Sequence, residues 1–575
     1  MKLVAELQSS LSKLAQEKGI LSSFSLEFTE DMQFGDLTSN LALVGSKALK
    51  MAPKALADQL IAVLQPQLPE GIDGVEAAGP GFLNFKINPR QFQKNILDVN
   101  ASKNSYGSSM VDNGKTILVE YTDPNTFKVF HIGHLMSNAI GESISRLIEN
   151  SGAKVVRLCY PSDIGLHIAK AIWAMKHNEN DIPKDDAPID VKTQFLGAMY
   201  VRGTEAYEKD AQAKKEIDTI NIQLYERSNT KIHSFYEKGR KWSIEHFDEL
   251  YMLLGTKFDK FVYESEMADV GKEVVLKYLK KGVFEKSEGA IVFKGERYGL
   301  HTRVFINAND LPTYEAKEIG LNTSKFKKHP DAAESIIITG NEQNDYFKVL
   351  KQVLLLIDEK IGTRTTHIGH GMMRFASGKM SSRTGNVVTA EALIADIKAL
   401  VAEKMKDRKF TDVETLAITN AVAIGAIKYT ILRQAIGGNV VFDSAASISF
   451  EGDSGPYLQY AAVRAQSILE KAKDSGIQAM TSIEKSELPK NVTQLEKLIY
   501  RFPSVVEKAR THLAPHHIAT YLLELAGSFN SFYANQVIVS KDDPHSYYYV
   551  ALTHSFLSVM KRGLDLLGIR IPEAM

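Results

Sequence analysis

The sequence predicts a multidomain α/β protein, with a Rossmann-like parallel-sheet domain between an N-terminal α+β domain and a C-terminal all-α bundle. At 575 residues the chain is too long for a single core. A strand, a helix and a second strand follow one another between residues 116 and 160, which is the βαβ unit of a parallel nucleotide-binding sheet. From about residue 450 onward, strand patterns give way to successive amphipathic helices.

Composition and charge exclude several classes of protein. Lys plus Arg and Asp plus Glu are both 69, so the formal net charge is zero. This balance argues against a general polycation that coats nucleic acid, but it allows a local basic surface for one folded RNA. The sequence has no run of eighteen apolar residues, and its first helix carries Glu6 and Glu17, so we expect neither a membrane span nor a signal peptide.

Cysteine usage points to a reducing compartment. The only cysteine is Cys159, so a disulfide within the chain and a zinc site built on cysteines are both excluded. We therefore expect a cytoplasmic protein without zinc.

The element pattern places three domains along the chain. We predict an N-terminal domain at residues 1–100, ending in a strand at 82–87 after a Gly/Pro turn, and then a linker at 100–114. The Rossmann-like domain follows at 101–449, with a charged helical insertion near 175–235, and the helical domain occupies 450–575. Predicted strands of the central domain are 116–121, 154–160, 335–339 and 366–373, and predicted helices cover 140–148 and 347–357.

A first phosphate-binding signature, His131-Ile132-Gly133-His134, falls between the first strand and its helix. The free amides of a helix N-terminus bind phosphate, and Gly133 lets a nucleotide approach the backbone closely. Two imidazoles on the first helical turn can donate hydrogen bonds to phosphate oxygens as charge builds at the α-phosphate.

The same tetrapeptide occurs again at His367-Ile368-Gly369-His370, here within a predicted strand. Because this copy does not open a helix, we assign the phosphate site to the first copy. We expect the backbone near Gly371 and Met372, just after the second copy, to line an adenine pocket.

A second signature, Lys379-Met380-Ser381-Ser382-Arg383, follows that strand and is flanked by Gly378 and Gly385. A lysine, two hydroxyls and an arginine between glycines suit a clamp on the β- and γ-phosphates, because they place positive charge where pyrophosphate leaves. Alone, the loop could be an ordinary solvated basic segment. Paired with the first signature, across the two halves of a split parallel sheet, it indicates a nucleotide site.

Together these residues resemble the class I aminoacyl-tRNA synthetases, whose HIGH and KMSKS signatures occupy these two places. Several segments resemble the arginyl branch in particular: Asp123-Pro124-Asn125 with Lys128, the second signature running into Gly385-Asn386-Val387-Val388, Phe34-Gly35-Asp36-Leu37 with 78–85, and Gly455-Pro456-Tyr457-Leu458-Gln459-Tyr460 with Arg464. The resemblance covers nearly the whole chain and is weakest in the insertion.

This resemblance implies an arginine–tRNA ligase that forms arginyl-adenylate from ATP, with Mg²⁺ carried by the ATP, and esterifies tRNA(Arg); we expect a monomer. The implied catalytic residues are Lys128, His131, His134, Lys379 and Arg383. The implied ATP-binding residues are His131, Gly133, His134, Gly371, Met372, Lys379, Met380, Ser381 and Ser382. The implied arginine-binding residues are Asp123, Asn125, His134, Tyr314, Glu318 and Gln343, and those for tRNA are Tyr457, Gln459, Arg464, Asn530, Tyr533 and Met575.

The sequence also departs from the family's pattern. The departures are Val129, Met136, Ile164, Tyr346 and Glu318, the last standing where the family usually has aspartate. Two other functions stay open: a plain nucleotidylyltransferase, which shares an H-x-G-H, and a non-catalytic RNA-binding paralogue that keeps the fold. The N-terminal domain and the long helical region count against the first, and the intact signatures count against the second.

Overall fold

A computed structural model describes residues 2–29, 31–102, 105–376, 388–482 and 488–575. The chain divides into two compact units, and each is built from separate stretches of sequence. The first unit contains residues 1–107, 464–505 and 524–562, and the second contains residues 108–463, 506–523 and 563–575. The linear boundaries at residues 100 and 449 stay a prediction.

The first unit holds a four-stranded antiparallel sheet, whose strands in spatial order are Leu26–Phe28, Leu37–Ser39, Phe82–Ile87 and Ile72–Ala78. Its N-terminal helices are Lys2–Glu17, Leu41–Leu49, Pro53–Leu64 and Pro89–Ala101. Leu7, Leu11 and Leu14 recur at helical spacing on the first helix and are buried in the core of this unit. The predicted N-terminal helix and the strand at 82–87 are confirmed.

The second unit is built on a five-stranded sheet in which all neighbours are parallel. Its strands in spatial order are Thr365–His370, Ala332–Gly340, Thr116–Tyr121, Lys154–Cys159 and Lys260–Phe261. The central strand Thr116–Tyr121 is a nearly continuous buried run, as expected for a parallel strand covered on both faces. Ligands of such sheets bind beyond the carboxyl ends of the strands, and the first signature lies there.

Helices connect the strands of this sheet and follow them along the chain. Those that precede residue 455 are Ile132–Asn150, Leu166–His177, Ile189–Lys209, Ala211–Glu226, Thr230–Leu254, Glu264–Leu279, Tyr314–Lys328, Asn344–Ile357, Glu359–Arg364, Ala390–Met405, Asp412–Leu432 and Ser444–Ser447. The predicted parallel strands and their helices are therefore confirmed. The insertion is helical as predicted, but its helices extend to Leu254, beyond the predicted limit near residue 235.

Two small sheets of the second unit were not predicted. One is antiparallel, with the strands Arg303–Ile306, Ala290–Phe293 and Glu285–Ser287 in spatial order, and the other pairs Met373–Phe375 with Val440–Phe442 in parallel. The predicted strand at 366–373 is thus interrupted at Gly371 and Met372.

The C-terminal part of the chain is helical, as predicted, with the helices Gly455–Asp474, Gln494–Thr511, His516–Asn535 and Ser546–Leu566. Among the described residues, one helix, Asp412–Leu432, is long and apolar enough to cross a membrane by length and composition alone. Of its most apolar window, 72% is buried inside the protein. Such burial is typical of a helix in a protein core.

Candidate active site

The first signature starts a helix where the sequence predicts it. After strand Thr116–Tyr121 the chain turns sharply, with positive φ angles at Thr122, Asp123 and Phe127. His131 then adopts an extended conformation and caps the helix Ile132–Asn150, which we call the signature helix. Its Nδ1 accepts the N–H of Gly133 at 3.1 Å, and the Nδ1 of His134 accepts the N–H of His131 at 3.3 Å.

These two contacts fix the tautomer of both imidazoles. Each Nδ1 accepts a backbone N–H, so in the neutral ring the proton is on Nε2. Burial is the largest cause that lowers the pKa of His131 and holds the pKa of His134 well below its usual range, and Lys128 adds positive charge beside both. At neutral pH both rings are therefore uncharged, and each offers an Nε2–H donor for a phosphate oxygen.

In the duplicate tetrapeptide, His370 has the opposite tautomer. His367 and His370 lie in the strand Thr365–His370, as predicted, and not at a helix start. The Nδ1 of His370 is 2.8 Å from the carbonyl oxygen of Gly371, which can only accept, so Nδ1 carries the proton and Nε2 has none. The His367 ring stacks on Phe347 with 3.9 Å between centroids. Both side chains thus make contacts within the protein, one with a backbone carbonyl and one with an aromatic ring.

The predicted adenine-pocket backbone is partly occupied. The N–H of Met372 donates to the Asn439 side chain at 2.9 Å, and its carbonyl accepts the N–H of Val440 at 2.9 Å. The N–H of Met372 is thus already used, whereas its carbonyl oxygen keeps a second lone pair, and the Met372 side chain is 51% exposed. That the backbone near Gly371 and Met372 lines an adenine pocket stays a prediction. A Cβ at Gly371 would lie 2.1 Å from the carbonyl oxygen of Gly438, so only glycine fits there.

Two carboxyl groups of the predicted amino-acid pocket, buried Glu318 and half-buried Asp123, lie near one another. Glu318 lies on helix Tyr314–Lys328, which we call the pocket helix, and its Oε1 accepts the Asn322 amide at 3.0 Å. Burial, followed by the negative charge of Glu120, raises the pKa of Glu318 to about 8. The same two causes raise the pKa of Asp123 well above its usual range, although its Oδ1 accepts the N–H of Tyr160 at 2.6 Å.

The neighbouring acids have their own cations. Glu120 forms a buried ion pair with Lys325, and Glu264 forms one with Lys317. In the part of the chain that the structure describes, Asp123 and Glu318 have no such ion pair. A pocket with one buried and one half-buried carboxyl and no paired cation favours a cationic ligand, because the ligand's charge would stabilise the ionised form of these groups.

Sequence reasoning missed Glu120, Tyr160 and Asn322 of this pocket. Glu120 is a lone charge inside an otherwise apolar buried strand, and this signal could have identified it, because a buried charge needs a partner. The Tyr160 hydroxyl is buried and has no hydrogen-bond partner among the described residues. The sequence carries no signal that would have identified Tyr160 or Asn322.

The remaining predicted arginine-binding residues are more exposed. Gln343 ends a short 3₁₀ turn, Asn341–Gln343, with its side chain exposed, and Asn125 forms an isolated parallel bridge with Ser162. Tyr314 is 52% exposed and lines a cavity of about 400 Å³. Other residues around this cavity include His167, Asn221, Tyr225, Pro312 and Lys317.

The second signature, Lys379–Arg383, lies outside the described residues. The same applies to the predicted roles of Lys379, Met380, Ser381, Ser382 and Arg383. Lys128, by contrast, is described: its ammonium lies 4.7 Å from the centre of the Tyr200 ring, which belongs to the insertion.

Three predicted tRNA-binding residues lie together in the first unit. The Arg464 guanidinium donates to the Asn530 side-chain oxygen at 2.6 Å and lies 5.1 Å from the centre of the Tyr533 ring. Tyr533 is 45% exposed. A guanidinium held beside a solvent-facing aromatic ring is a surface on which a nucleobase can stack.

Gln459 is placed differently from the prediction. It is fully buried in the second unit, and its amide donates to the carbonyl oxygens of Ala421 at 3.0 Å and Arg570 at 2.6 Å. This position counts against the predicted contact with tRNA, because the side chain has no exposed surface and joins elements of the core. Tyr457 and Met575 are half-buried in the same unit.

Comparisons with known proteins agree with this geometry. The chain matches the family models described as "Arginyl tRNA synthetase N terminal domain" at residues 1–87, "tRNA synthetases class I (R), catalytic domain" at 95–444 and "DALR anticodon binding domain" at 458–575. It is 31% identical to the arginine–tRNA ligase of Borrelia hermsii, over 100% of both chains. It is 32% identical to that of Borreliella burgdorferi, over 88% of this chain and 87% of the relative.

Solved structures share the fold. The arginyl-tRNA synthetase of Thermus thermophilus superposes with a TM-score of 0.81 at 22% identity, over 100% of both chains. The enzyme of Plasmodium falciparum superposes with a TM-score of 0.78 at 19% identity, over 100% of this chain and 99% of that one. The family models and the full-length relatives confirm the resemblance drawn from the signatures: the chain belongs to the arginyl-tRNA synthetase family of class I aminoacyl-tRNA synthetases.

Proposed function

We propose that this chain activates L-arginine with ATP and esterifies it to the 3′ end of tRNA(Arg). The observation that carries the proposal is the pocket of buried Glu318 and half-buried Asp123, two carboxyls without a paired cation in the described structure. Asp123 lies in the loop that leads to His131, at the carboxyl end of the central strand. A cationic amino acid held by these carboxyls would therefore lie beside the nucleotide signature.

In the first step, a carboxylate oxygen of arginine attacks the α-phosphorus of ATP, and the bond to the bridging oxygen breaks to release pyrophosphate. The Nε2–H groups of His131 and His134 donate to phosphate oxygens as negative charge builds there. Because both rings are neutral beforehand, they supply oriented donors without a buried positive charge in the free protein. Lys128 adds positive charge nearby.

In the second step, the 2′-hydroxyl of the terminal adenosine attacks the carbonyl carbon of arginyl-adenylate. The ester forms, AMP leaves, and the hydroxyl proton passes to the departing phosphate or to solvent. The cavity beside Tyr314 is also lined by Tyr225 and suits a nucleobase, which stacks well on tyrosine. We propose that it receives the terminal adenosine, with Tyr314 between this cavity and the arginine pocket.

Selectivity for arginine follows from the pocket's chemistry. A guanidinium is planar, permanently charged and rich in donors, and carboxylates bind it in a fork geometry. We propose that Glu318 faces the guanidinium, and that Asp123, Asn125 and Gln343 contribute further acceptors. An uncharged amino acid would leave buried acceptors unpaired, which a polar site rejects strongly.

Mg²⁺ would enter with ATP. Among the described residues, no cluster of three or more His, Cys, Asp or Glu side chains could hold a metal ion. The donor set therefore favours a magnesium ion held chiefly by the nucleotide phosphates, which matches its preference for phosphate and water oxygens. The ion would neutralise phosphate charge.

The single cysteine, Cys159, bears on where the protein works. Burial raises the pKa of the Cys159 thiol well above its usual range, so the only cysteine is a poor nucleophile. A single buried thiol suits a reducing compartment, and we propose that the protein works in the cytoplasm, away from membranes, as a monomer.

ATP–pyrophosphate exchange tests the first step. Exchange should require arginine, and by the family resemblance it should also require tRNA, because binding energy from tRNA would assemble the site. Rapid exchange with arginine and no tRNA would contradict the tRNA requirement. Exchange that ignores arginine would contradict the proposed substrate.

A further inference from the structure

The chain just after the second signature is hydrogen-bonded to the first signature. The N–H of Ala390 donates to the carbonyl of Phe130 at 2.8 Å, and the N–H of Ile132 donates to the carbonyl of Val388 at 3.4 Å. Between these bonds, His131 and Thr389 form an isolated antiparallel bridge. Residues 388–390 thus lie antiparallel to residues 130–132, directly at the phosphate-binding turn.

A hydrogen bond between His246 and Glu391 links this bridge to a helix of the insertion. Glu391, in the first turn of helix Ala390–Met405, accepts the Nε2–H of His246 at 2.6 Å. His246 lies on helix Thr230–Leu254, which we call the insertion helix. The next residue of that helix, Phe247, packs against Phe130 with 6.0 Å between ring centroids. The pair therefore joins three chain segments around His131.

The hydrogen bond to His246 uses one of the two carboxylate oxygens of Glu391. Its second oxygen, Oε2, is buried and has no hydrogen-bond partner among the described residues. Its negative charge acts on His131, opposing the effect of Lys128. A carboxylate beside the phosphate turn would repel a triphosphate if it turned toward it, and the bond to His246 holds it in one orientation.

We propose that His246 and Glu391 are positioning residues for ATP binding and adenylation. Through them, the insertion helix holds residues 388–390 in register with residues 130–132, and this fixes the His131 ring and the chain that leaves the second signature. The inference rests on the proposed function for the reaction that it serves. Neither side chain belongs to the predicted site.

Five single variants of the full-length chain, one of them a control, and one double variant test this. His246→Ala and Glu391→Ala each remove the bond, and the double variant His246→Ala/Glu391→Ala removes both partners. Glu391→Gln keeps an oxygen that can accept the Nε2–H, and His246→Gln keeps a donor of similar reach. His233→Ala is the matched control, because the half-buried His233 lies on the same helix and forms its own pair with a different carboxylate, Glu237, at 3.4 Å.

The readouts are the dissociation constant of ATP, measured by calorimetry, and the separate KM values for ATP and arginine in aminoacylation. We expect each alanine variant to weaken ATP binding or kcat/KM for ATP about tenfold, the scale of a lost charge-assisted hydrogen bond. The KM for arginine should stay within about twofold, and the double variant should be no worse than either single variant, because the two residues act as one unit. The glutamine variants should recover most of the loss.

Unchanged ATP affinity in both alanine variants would overturn the inference. So would a parallel loss for ATP and arginine with additive effects in the double variant, since that pattern indicates general destabilisation. Calorimetry needs no amino acid or tRNA, so it separates the two proposals. A wild-type chain that does not charge tRNA with arginine contradicts the proposed function, whereas selective loss of ATP affinity in the variants still supports the positioning role.

Discussion

The imidazole rings of His131 and His134 stack with their centroids 3.6 Å apart, and each ring accepts a backbone N–H at Nδ1. Stacking and capping together give both rings one orientation, with both Nε2–H groups free of those backbone bonds. The first turn of the signature helix thus supplies side-chain donors in addition to its own amides. This arrangement depends on the helix start, where His131 as the N-cap and His134 on the first turn each accept a backbone N–H.

Removing one of these donors should slow the chemical step. We expect His134→Ala to lower kcat by about 10²- to 10³-fold, the range for loss of one transition-state donor. His370→Ala, in the duplicate tetrapeptide, is the control and should cost much less, because His370 donates to its neighbour's carbonyl within the sheet. Steady-state aminoacylation measures both variants. A loss at His370 as deep as that at His134 would mean that the phosphate site was assigned to the wrong copy.

The Glu318 carboxyl should control arginine binding and not ATP binding. Breaking a desolvated, hydrogen-bonded charge pair costs about 2–5 kcal/mol. Glu318→Gln should therefore raise the KM for arginine at least about tenfold while the KM for ATP changes little. Glu318→Asp, which restores the usual family residue, is the matched variant and should retain activity. Normal arginine binding by Glu318→Gln would show that this carboxyl has only a structural role.

Arginine affinity should depend on pH through the same carboxyl. With a pKa of about 8 in the free protein, Glu318 is mostly protonated at pH 7 and must lose its proton to pair with a guanidinium. Affinity should therefore rise as pH increases from 7 to 9, by roughly tenfold, and then level off. Calorimetric titration with arginine measures this, and Glu318→Gln should flatten the profile. A wild-type affinity that falls over this range would contradict the assignment.

Lys428 should stabilise the second unit. It is 1% exposed, and its ammonium donates to the carbonyls of Leu254 at 2.7 Å and Gly568 at 2.8 Å. Lys428→Met keeps the volume but leaves both buried acceptors unpaired, so we expect a loss of about 1–3 kcal/mol. Lys241→Met is the control, because Lys241 is exposed and its ion pair with Glu245 lies at the surface. Urea unfolding compares the two, and equal stability would contradict this role.

Much of the fold could be predicted because its signals are local. The strands Thr116–Tyr121 and Lys154–Cys159 are apolar runs bounded by turns, and the helix between them repeats its apolar residues at helical spacing. The three strands between residues 285 and 306 were missed. Each has three or four residues, and such short runs carry little periodicity of their own.

The site was predictable where it is continuous in sequence. The first signature and Asp123 share one loop, so a local motif places them together. Glu120 and Glu318 interact across a strand and a helix nearly two hundred residues apart, and no local pattern records such a contact. For Gln459 the resemblance implied a contact with tRNA, but its burial depends on packing between distant segments, which no local motif records.

Aminoacylation of total tRNA with each of the labelled amino acids, supplied one at a time with ATP and Mg²⁺, tests the central claim most directly. The pocket of Asp123 and Glu318 predicts that arginine alone is esterified, and that lysine, which carries a point charge without the planar fork, is rejected. Charging with a different amino acid would contradict the reading of this pocket. Failure to charge tRNA with any amino acid, while RNA is still bound, would instead support a non-catalytic relative that keeps the fold.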